Sequence, residues 1–325
     1  MKESRHTASA GRTRIENMLS ARESASVRKR LKDAFASQMQ LAPHTERHLS
    51  GALQDTLQRP GSMVRAEIAY RLGLSSGLDD RRSEWLAISI EYFHTASLLF
   101  DDLPSMDNAT HRRGNRCVHQ IFGEGTAILA ALALINRAYA LLWKMTVGLS
   151  PEVQARSLAY VECHLGVSGV LNGQSRDLHY SAAEPSLRVP QQVAMQKTVS
   201  LIRLAFVLPA MAAGAPIREI HSLDRLAVSW GLSYQTLDDL KDILHTTGQG
   251  GKTTARDAHL DRPNLALSVG VAESLNYLRR LMNIGDKIVL RLVGERKSFD
   301  FLTTIREQLD REIASLAGAK TAVNL

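Results

Sequence analysis

An all-α fold, one bundle of about ten helices, is what this sequence predicts, and three observations carry the prediction. Apolar residues recur three or four positions apart along almost the whole chain. No run of β-branched and aromatic residues alternates with polar ones between paired turn signals, so strand signals are nearly absent. The breaks between periodic stretches are short turns, with no Gly/Ser-rich linker and no abrupt change of composition to divide the chain.

The first 33 residues stand apart. They hold nine Lys/Arg against four Asp/Glu and so carry +5 of the formal net charge of +7, leaving +2 for the rest. Ser, Ala and Gly fill the spaces between these charges and no aromatic residue interleaves them, which fits a solvated, partly disordered segment and not a nucleic-acid-binding arm. Residues 1–33 are therefore set against a single helical domain over 34–325. Within it, Arg59-Pro60-Gly61 ends the first helical stretch. From Ser83 to Phe100, the spacing of Leu86, Ile90, Phe93, Ala96 and Phe100 predicts an amphipathic helix. Ala127 to Trp143 is apolar almost all round, as a helix in the middle of a bundle is. Further breaks fall at Pro104, Arg113-Gly114-Asn115, Leu149-Ser150-Pro151, Ala183 to Pro190, and Gly248 to Gly251.

Composition excludes several classes of function. With 44% hydrophobic and 22% charged residues and nine prolines, the chain is a soluble globular protein and not a disordered one. Cys117 and Cys163 have no CxxC or His-rich neighbourhood, which leaves neither a disulfide framework nor a zinc site and reads as two inert, buried thiols. The N-terminus has no apolar core of signal-peptide length, and no segment approaches the roughly 18 uninterrupted apolar residues of a membrane span. The expectation is a cytoplasmic protein without stable membrane insertion.

Two aspartate clusters carry the chemistry. The first reads Asp101-Asp102-Leu103-Pro104-Ser105-Met106-Asp107, followed by Arg112-Arg113-Gly114, and the second Asp238-Asp239-Leu240-Lys241-Asp242. In a helix Asp238 and Asp242 leave the same face, while Asp239 lies about 100° round. Asp101 and Asp107 are six apart, so an ideal helix would separate them, but Pro104 disturbs the helix between them and lets a distorted turn bring them together. Both clusters are embedded in apolar sequence, where several unpaired carboxylates are costly. A cation must share their space. Hard oxygen ligands that leave room for phosphate oxygens are what magnesium prefers, so the expected substrate is a diphosphate.

These residues resemble the trans-isoprenyl diphosphate synthase family, the farnesyl and geranylgeranyl diphosphate synthases, from about Arg59 to Asn264. Smaller marks agree: Glu91 and His94 before the first motif, Val118-His119 and Phe122-Gly123-Glu124 after it, then Gly173-Gln174 with Asp177, Lys197-Thr198 and Tyr234-Gln235. Lys252, Asp257 and Arg262 stand where the family has its Gly-Lys, Asp and second basic position. The resemblance implies the isoprenoid synthase type I fold around a deep central cavity, usually as a homodimer. It further implies three magnesium ions held by Asp101, Asp107 and Asp238, with Asp102, Asp242, Gln174 and Asp177 in support and Asp239 among the catalytic aspartates. Arg112, Lys197 and Lys252, with Thr198 and Gln235, would grip the allylic diphosphate. Metals and cations then neutralise charge as the C–O bond breaks, leaving an allylic cation in a water-poor pocket.

The second, homoallylic pocket departs from the family. Its Gly-Lys-x-x-Arg segment is here Gly61-Ser62-Met63-Val64-Arg65, and its Arg-Arg-Gly-Lys is Arg112-Arg113-Gly114-Asn115. Arg65, Arg113 and His94 survive. Each lost charge-assisted bond removes about 1.5–3 kcal/mol. Weighed that way, the sequence points to a terpene synthase that ionises a C15 or C20 diphosphate without isopentenyl diphosphate. The alternative is a chain-elongating farnesyl or geranylgeranyl diphosphate synthase, and a third reading is a non-catalytic subunit of a heteromeric synthase. In the family the residue five before the first aspartate helps set the cavity floor; here Ala96, with Ser97 next to it, implies an open floor.

Overall fold

The structure, a computed structural model, describes residues 22–180, 186–244 and 262–323. Helix α1 covers residues 22–37, and α2 (Arg47–Gln58), α3 (Val64–Ser76) and α4 (Asp80–Asp101) follow it. A two-stranded hairpin, β1 (His111–Arg112) with β2 (Asn115–Arg116), leads into α5 (Val118–Phe122), α6 (Glu124–Thr146) and α7 (Pro151–Leu165). Then come α8 (Val170–Leu178), α9 (Arg188–Ala194), one π-helical turn (Met195–Val199), α10 (Ser200–Ala212) and α11 (Ile217–Leu244). The last elements are α12 (Leu265–Val269), α13 (Val271–Glu295), a 3₁₀ turn (Lys297–Phe299) and α14 (Phe301–Val323). The fold is all-α.

Helix starts follow local chemistry. The Asp79 side chain accepts from the Arg82 amide at 2.9 Å to open α4. Ser150 does the same for Val153 at the start of α7, where Pro151 takes the first helical position and gives up no hydrogen bond. At the centre α4 packs on α6. Leu86, Ile88, Ile90 and Tyr92 of the one and Ala130, Ala131, Leu134 and Leu141 of the other are almost or fully buried. Both expected helices exist, but their places are exchanged: α4, read as amphipathic, is buried on every side from Leu86 to Phe93, whereas α6, read as the middle of the bundle, leaves Leu129, Leu132, Tyr139 and Trp143 exposed.

The basic N-terminal segment divides. Residues 22–33 belong to α1, whose Leu31 is fully buried together with Phe35. Glu67 of α3, with no accessible surface, accepts from Ser24 Oγ at 2.6 Å and Arg28 Nε at 2.5 Å, so part of the positive charge of this segment is matched inside the fold. Residues 1–21 lie outside the described residues, as does the break at Gly248–Gly251. Cys117 is buried as expected, but Cys163 is exposed on α7, because it falls on the helix face away from the buried Val161 and His164. Two stretches, Glu124–Thr146 and Arg188–Ala212, are long and apolar enough to cross a membrane. The second is mostly buried in the bundle; α6 keeps an exposed apolar stripe.

Candidate active site

The first aspartate cluster is the place where α4 stops. Pro104 has no amide proton with which to continue the helix, and the chain folds back on the helix end. The Asp107 amide donates to Asp101 O at 2.9 Å, that of Asn108 to Leu103 O at 2.9 Å, and that of Ala109 to Asp102 O at 3.1 Å. Asn108 takes a positive φ of 48° to complete the turn. The distorted turn read from the spacing therefore exists and sets Asp107 beside Asp101. Asp101 and Asp107 stay partly exposed and Asp102 is buried, so two of the three carboxylates face outward.

Basic groups from two later elements meet these acids. Asp102 turns inward and takes Arg112: Nε lies 2.9 Å from both carboxylate oxygens and Nη2 2.7 Å from Oδ1. A carboxylate assigned a supporting role at the metals thus acts first as the anchor of the hairpin's arginine. Arg113 and Gly114, with φ of 53° and 79°, form the two-residue turn that aims Arg112 back at α4. On the other side Lys197 Nζ reaches Asp177 Oδ2 at 2.6 Å. Lys197 and Thr198 lie on the π-helical turn, whose extra residue re-aims them. Against that turn packs α8 at Gly173, where a Cβ would stand 2.4 Å from Lys197 N. Only glycine allows α8, with Gln174 and Asp177, to come so close. Gln174 Nε2 in turn lies 3.5 Å from Met106 Sδ.

Burial pushes the Asp101 carboxyl above the ordinary carboxylate range; Lys197 and Arg112 oppose the shift, and Asp107 and Asp177 add to it. For Lys197 burial acts to lower the ammonium pKa, but Asp101, Asp177 and Asp107 outweigh it and leave it raised. Acids and bases thus share one crowded, half-buried space.

In the second cluster Asp238 and Asp242 are partly exposed on one face of α11 and Asp239 is buried, as the helical spacing requires. Asp239, grouped by its motif with the catalytic aspartates, joins two elements of the fold. Its Oδ1 accepts from Gln235 Nε2 at 2.8 Å and its Oδ2 from the Leu265 amide at 2.8 Å, which ties α11 to the start of α12. Gln235 Oε1 accepts from Thr198 Oγ1 at 2.6 Å, linking the π turn to α11. Lys241 pairs with Glu312 of α14 at 2.8 Å. Lys252 and Asp257 lie outside the described residues.

A second polar group lies on α4 two turns before Asp101. Arg65 Nη1 is 3.2 Å from His94 Nε2, and the Arg65 guanidinium sits over the Tyr234 ring at 5.6 Å. The Arg113 guanidinium lies on the loop before α3, with Nη1 2.8 Å from where a Cβ on Gly61 would stand. Burial, then Arg65, Arg113 and Arg112, hold the His94 imidazole well below its usual pKa, so it is neutral and accepts from Arg65. Burial raises the pKa of the nearby Glu91, and Arg65 and Arg113 oppose that shift. Among the described residues, the charges that act on His94 are the cations of Arg65, Arg113 and Arg112.

The model of the family described as polyprenyl synthetase matches residues 46–287. The chain belongs to the polyprenyl synthetase family. Among its relatives, the chloroplastic geranylgeranyl pyrophosphate synthase 12 of Arabidopsis thaliana is 29% identical over 78% of this chain and 72% of its own length. Geranylgeranyl pyrophosphate synthase 3 of the same plant is 30% identical over 74% and 68%. The fold matches that of the geranyltransferase from Helicobacter pylori crystallised with magnesium and isoprenyl diphosphate, with a TM-score of 0.75 at 22% identity over 92% of this chain and 98% of that one. The Legionella pneumophila geranyltransferase gives 0.76 at 22% identity over 91% and 98%.

These relatives overturn one expectation. They carry the names of chain-elongating synthases, not of terpene synthases, so the reading of this polyprenyl synthetase as independent of isopentenyl diphosphate falls. The physical reason is in the second pocket, where the missing charges weighed more in the sequence than they do in space. Met63 is fully buried with a left-handed φ of 59°, so its side chain fills the core and not the pocket. Ser62 and Asn115 are exposed, while Arg65 and Arg113 both lie close enough to His94 to act on its charge. Ala96 has no accessible surface and belongs to the core; Ser97 is partly exposed and its hydroxyl donates to His94 O at 2.9 Å. His94, Ser97 and Asp101 thus share the partly exposed face of α4, and Ala96, read as part of a cavity floor, is turned into the core.

Magnesium fits this donor set as a shared ion. No three His, Cys, Asp or Glu side chains form a ready-made cage among the described residues. Asp101 has Asp107 and Asp177 near enough to raise its pKa, a grouping of hard oxygen ligands that phosphate oxygens would complete around a cation. The Asp239–Leu265 tie was beyond the reach of the motifs, and for Arg262 the motif named the basic residue but not its partner, Asp107. The hairpin also went unread, although Arg113-Gly114-Asn115 is a turn signal.

Proposed function

We propose that the protein is a magnesium-dependent prenyltransferase that condenses isopentenyl diphosphate with an allylic diphosphate to give a product of the farnesyl or geranylgeranyl class. One observation carries this reading. His94 and Asp101 are seven residues apart on α4, and so on one face about 10 Å from each other, with a cation pocket at the first and the aspartate site at the second. Two diphosphates can be held at once with their chains side by side. The relatives' names support the same reading, as does the Helicobacter geranyltransferase with its magnesium and isoprenyl diphosphate.

Bound at Asp101, Asp107, Asp238 and Asp242, up to three magnesium ions would supply neutralisation of the departing diphosphate. Arg112 and Lys197 are placed to exchange a carboxylate for phosphate oxygens. As the allylic C–O bond breaks, its electron pair leaves with the diphosphate; Arg112 and Lys197 stabilise that charge. Arg65, Arg113 and His94 hold the second diphosphate so that its double bond faces the allylic cation. A C–C bond forms, and a proton passes to the released diphosphate as the double bond is restored. The apolar side chains of Leu98 and Phe100, partly exposed on α4, exclude water from the cation.

The protein would work as a homodimer. Leu129, Leu132, Tyr139 and Trp143 are each about half exposed and recur along one side of α6 at the three-and-four spacing of a helix–helix seam. Light scattering of the purified chain should give twice the chain mass, and Leu132→Glu with Trp143→Glu should give a monomer; a monomeric wild type would refute the dimer. The activity is tested with geranyl or farnesyl diphosphate and magnesium, with and without isopentenyl diphosphate. Longer diphosphates should form only when isopentenyl diphosphate is present. Extractable hydrocarbon in its absence, or no turnover of any allylic substrate, would overturn the reading.

A further inference from the structure

Arg262 opens the short extended segment that enters α12. Its side chain is 9% exposed, and its fork serves three acceptors. Nη1 donates to Asp177 O at 3.0 Å, and Nη2 to Met106 O at 2.9 Å and Asp107 Oδ1 at 3.3 Å. Nε is buried without a hydrogen-bond partner, 3.9 Å from Asp177 Oδ2. Two residues on, Asn264 Nδ2 donates to Asp239 O at 3.2 Å beside the Leu265 amide bond to Asp239 Oδ2, and Asn264 Oδ1 caps α12 through the Leu267 amide. Three residues within a four-residue span thus reach the loop of the first aspartate cluster, α8 and the second aspartate cluster.

Lys197 and Arg262 are both cations beside an acid, but their acceptors differ. Lys197 holds a carboxylate, which a metal can take over when a phosphate replaces it at the ammonium. Arg262 holds two main-chain carbonyls as well, and leaving a buried acceptor unpaired costs about 1–3 kcal/mol each. Those carbonyls gain nothing when substrate arrives, so Arg262 keeps its place while Lys197 and Arg112 change partners. A lysine cannot supply this, because a point charge on a flexible stem does not span three acceptors in a plane.

We propose that Arg262 is a positioning residue: it fixes Asp107 against Asp177 and, through Asn264 and Asp239, sets the spacing of the two aspartate clusters, without touching the diphosphate. The proposal rests on the reading that these aspartates share magnesium with a substrate diphosphate. Its test is Arg262→Lys and Arg262→Gln beside wild type, with two readouts. One is the magnesium concentration for half-maximal stabilisation of the melting temperature in the presence of inorganic diphosphate. The other is steady-state elongation resolved into magnesium half-saturation and the allylic KM at saturating magnesium.

Both variants should raise the magnesium requirement about tenfold, the lysine no better than the glutamine, with the allylic KM within about twofold of wild type. A lysine variant that behaves as wild type would reduce Arg262 to a counter-ion and overturn the proposal. So would a raised allylic KM with unchanged magnesium dependence, which would make it a diphosphate ligand. If Arg262→Lys does not fold, Asn264→Ala decides: it cuts the strap at its far end, and an unchanged magnesium requirement there overturns the proposal. If wild type binds magnesium and diphosphate but does not elongate, the proposed function fails while the binding titration still decides the role of Arg262.

Discussion

The two charged regions on α4 solve the same problem in opposite ways. At the Asp101 end each basic group has an acid of its own: Arg112 has Asp102, Lys197 has Asp177, and Arg262 has Asp107. At the His94 end Arg65 leans on a neutral imidazole and an aromatic face, Arg113 lies over a glycine, and the nearby acid, Glu91, is pushed by burial toward its protonated form. A site whose charges are matched within the protein can exchange partners as metal and diphosphate arrive, and is stable when empty. A site of cations with little acid beside them binds an anion directly, and its strength depends on how many cations it keeps. That difference explains why whole aspartate motifs accompany a cation group flanked by the uncharged Ser62 and Asn115.

The comparison breaks most sharply at Asp101. Asp101→Asn should lower diphosphate release and elongation by roughly a thousandfold or more, as loss of a metal ligand facing the substrate does. The same change should raise the melting temperature of the metal-free protein by about 1–2 °C. A carboxyl whose pKa is raised by folding binds more protons folded than unfolded, so its contribution falls as pH rises above the ordinary carboxylate range. At neutral pH the charge is a cost that asparagine removes. Equal turnover in the variant, or a lower melting temperature, would contradict the assignment.

Gly173→Ala tests whether the first site depends on the π turn. A Cβ 2.4 Å from Lys197 N must push α8 away, which should cost about 2–3 kcal/mol of stability in denaturant titration and raise the allylic KM. The KM for isopentenyl diphosphate should not change, because the second pocket draws on α3, α4 and the hairpin. A change confined to the isopentenyl KM would show that the two sites are not built separately.

Restoring charge sharpens the other side. Ser62→Lys with Asn115→Lys should lower the KM for isopentenyl diphosphate by about tenfold, the value of one regained charge-assisted bond, and leave the allylic KM alone. No effect on either constant would mean that these two positions do not face the second diphosphate.

The smallest effect is on pH. Folding depresses the His94 pKa below the ordinary imidazole value of 6.5, so its neutral form costs the fold nothing above that value, and stability is lost as pH falls below it and the unfolded chain takes up the proton. His164 shifts the same way through burial. The melting temperature should therefore fall between about pH 7.5 and pH 5.5, and His94→Gln should flatten the fall without abolishing it. An equally steep fall in the variant would assign the pH dependence elsewhere.

Local patterns in the chain foretold those parts of the sites whose information is local. Helical periodicity put Asp238 and Asp242 on one face and turned Asp239 away from it, and the accessible surface agrees. Pro104 forecast a broken helix end, and the fold-back of Asp107 onto Asp101 is that break. The same patterns misjudged Met63, Ala96 and Cys163, since a residue type does not say which way a side chain points once a helix has docked. By motif Asp102 was set in support of the metals and Asp239 among the catalytic aspartates; in the fold their oxygens accept from Arg112, Gln235 and the Leu265 amide, partners that no motif names.

The sequence by itself determined the helices, the family and the inventory of charged groups, because spacing of 3.6 residues per turn and the identity of each side chain are written locally. Only the tertiary structure decided which partner each cation holds. Asp107 meets Arg262, Asp177 meets Lys197 and Arg65 meets His94 across 155, 20 and 29 residues. Such pairings depend on how α3, α4, α8, the π turn and the segment before α12 pack on one another, and no local pattern encodes a contact between elements so far apart in the chain.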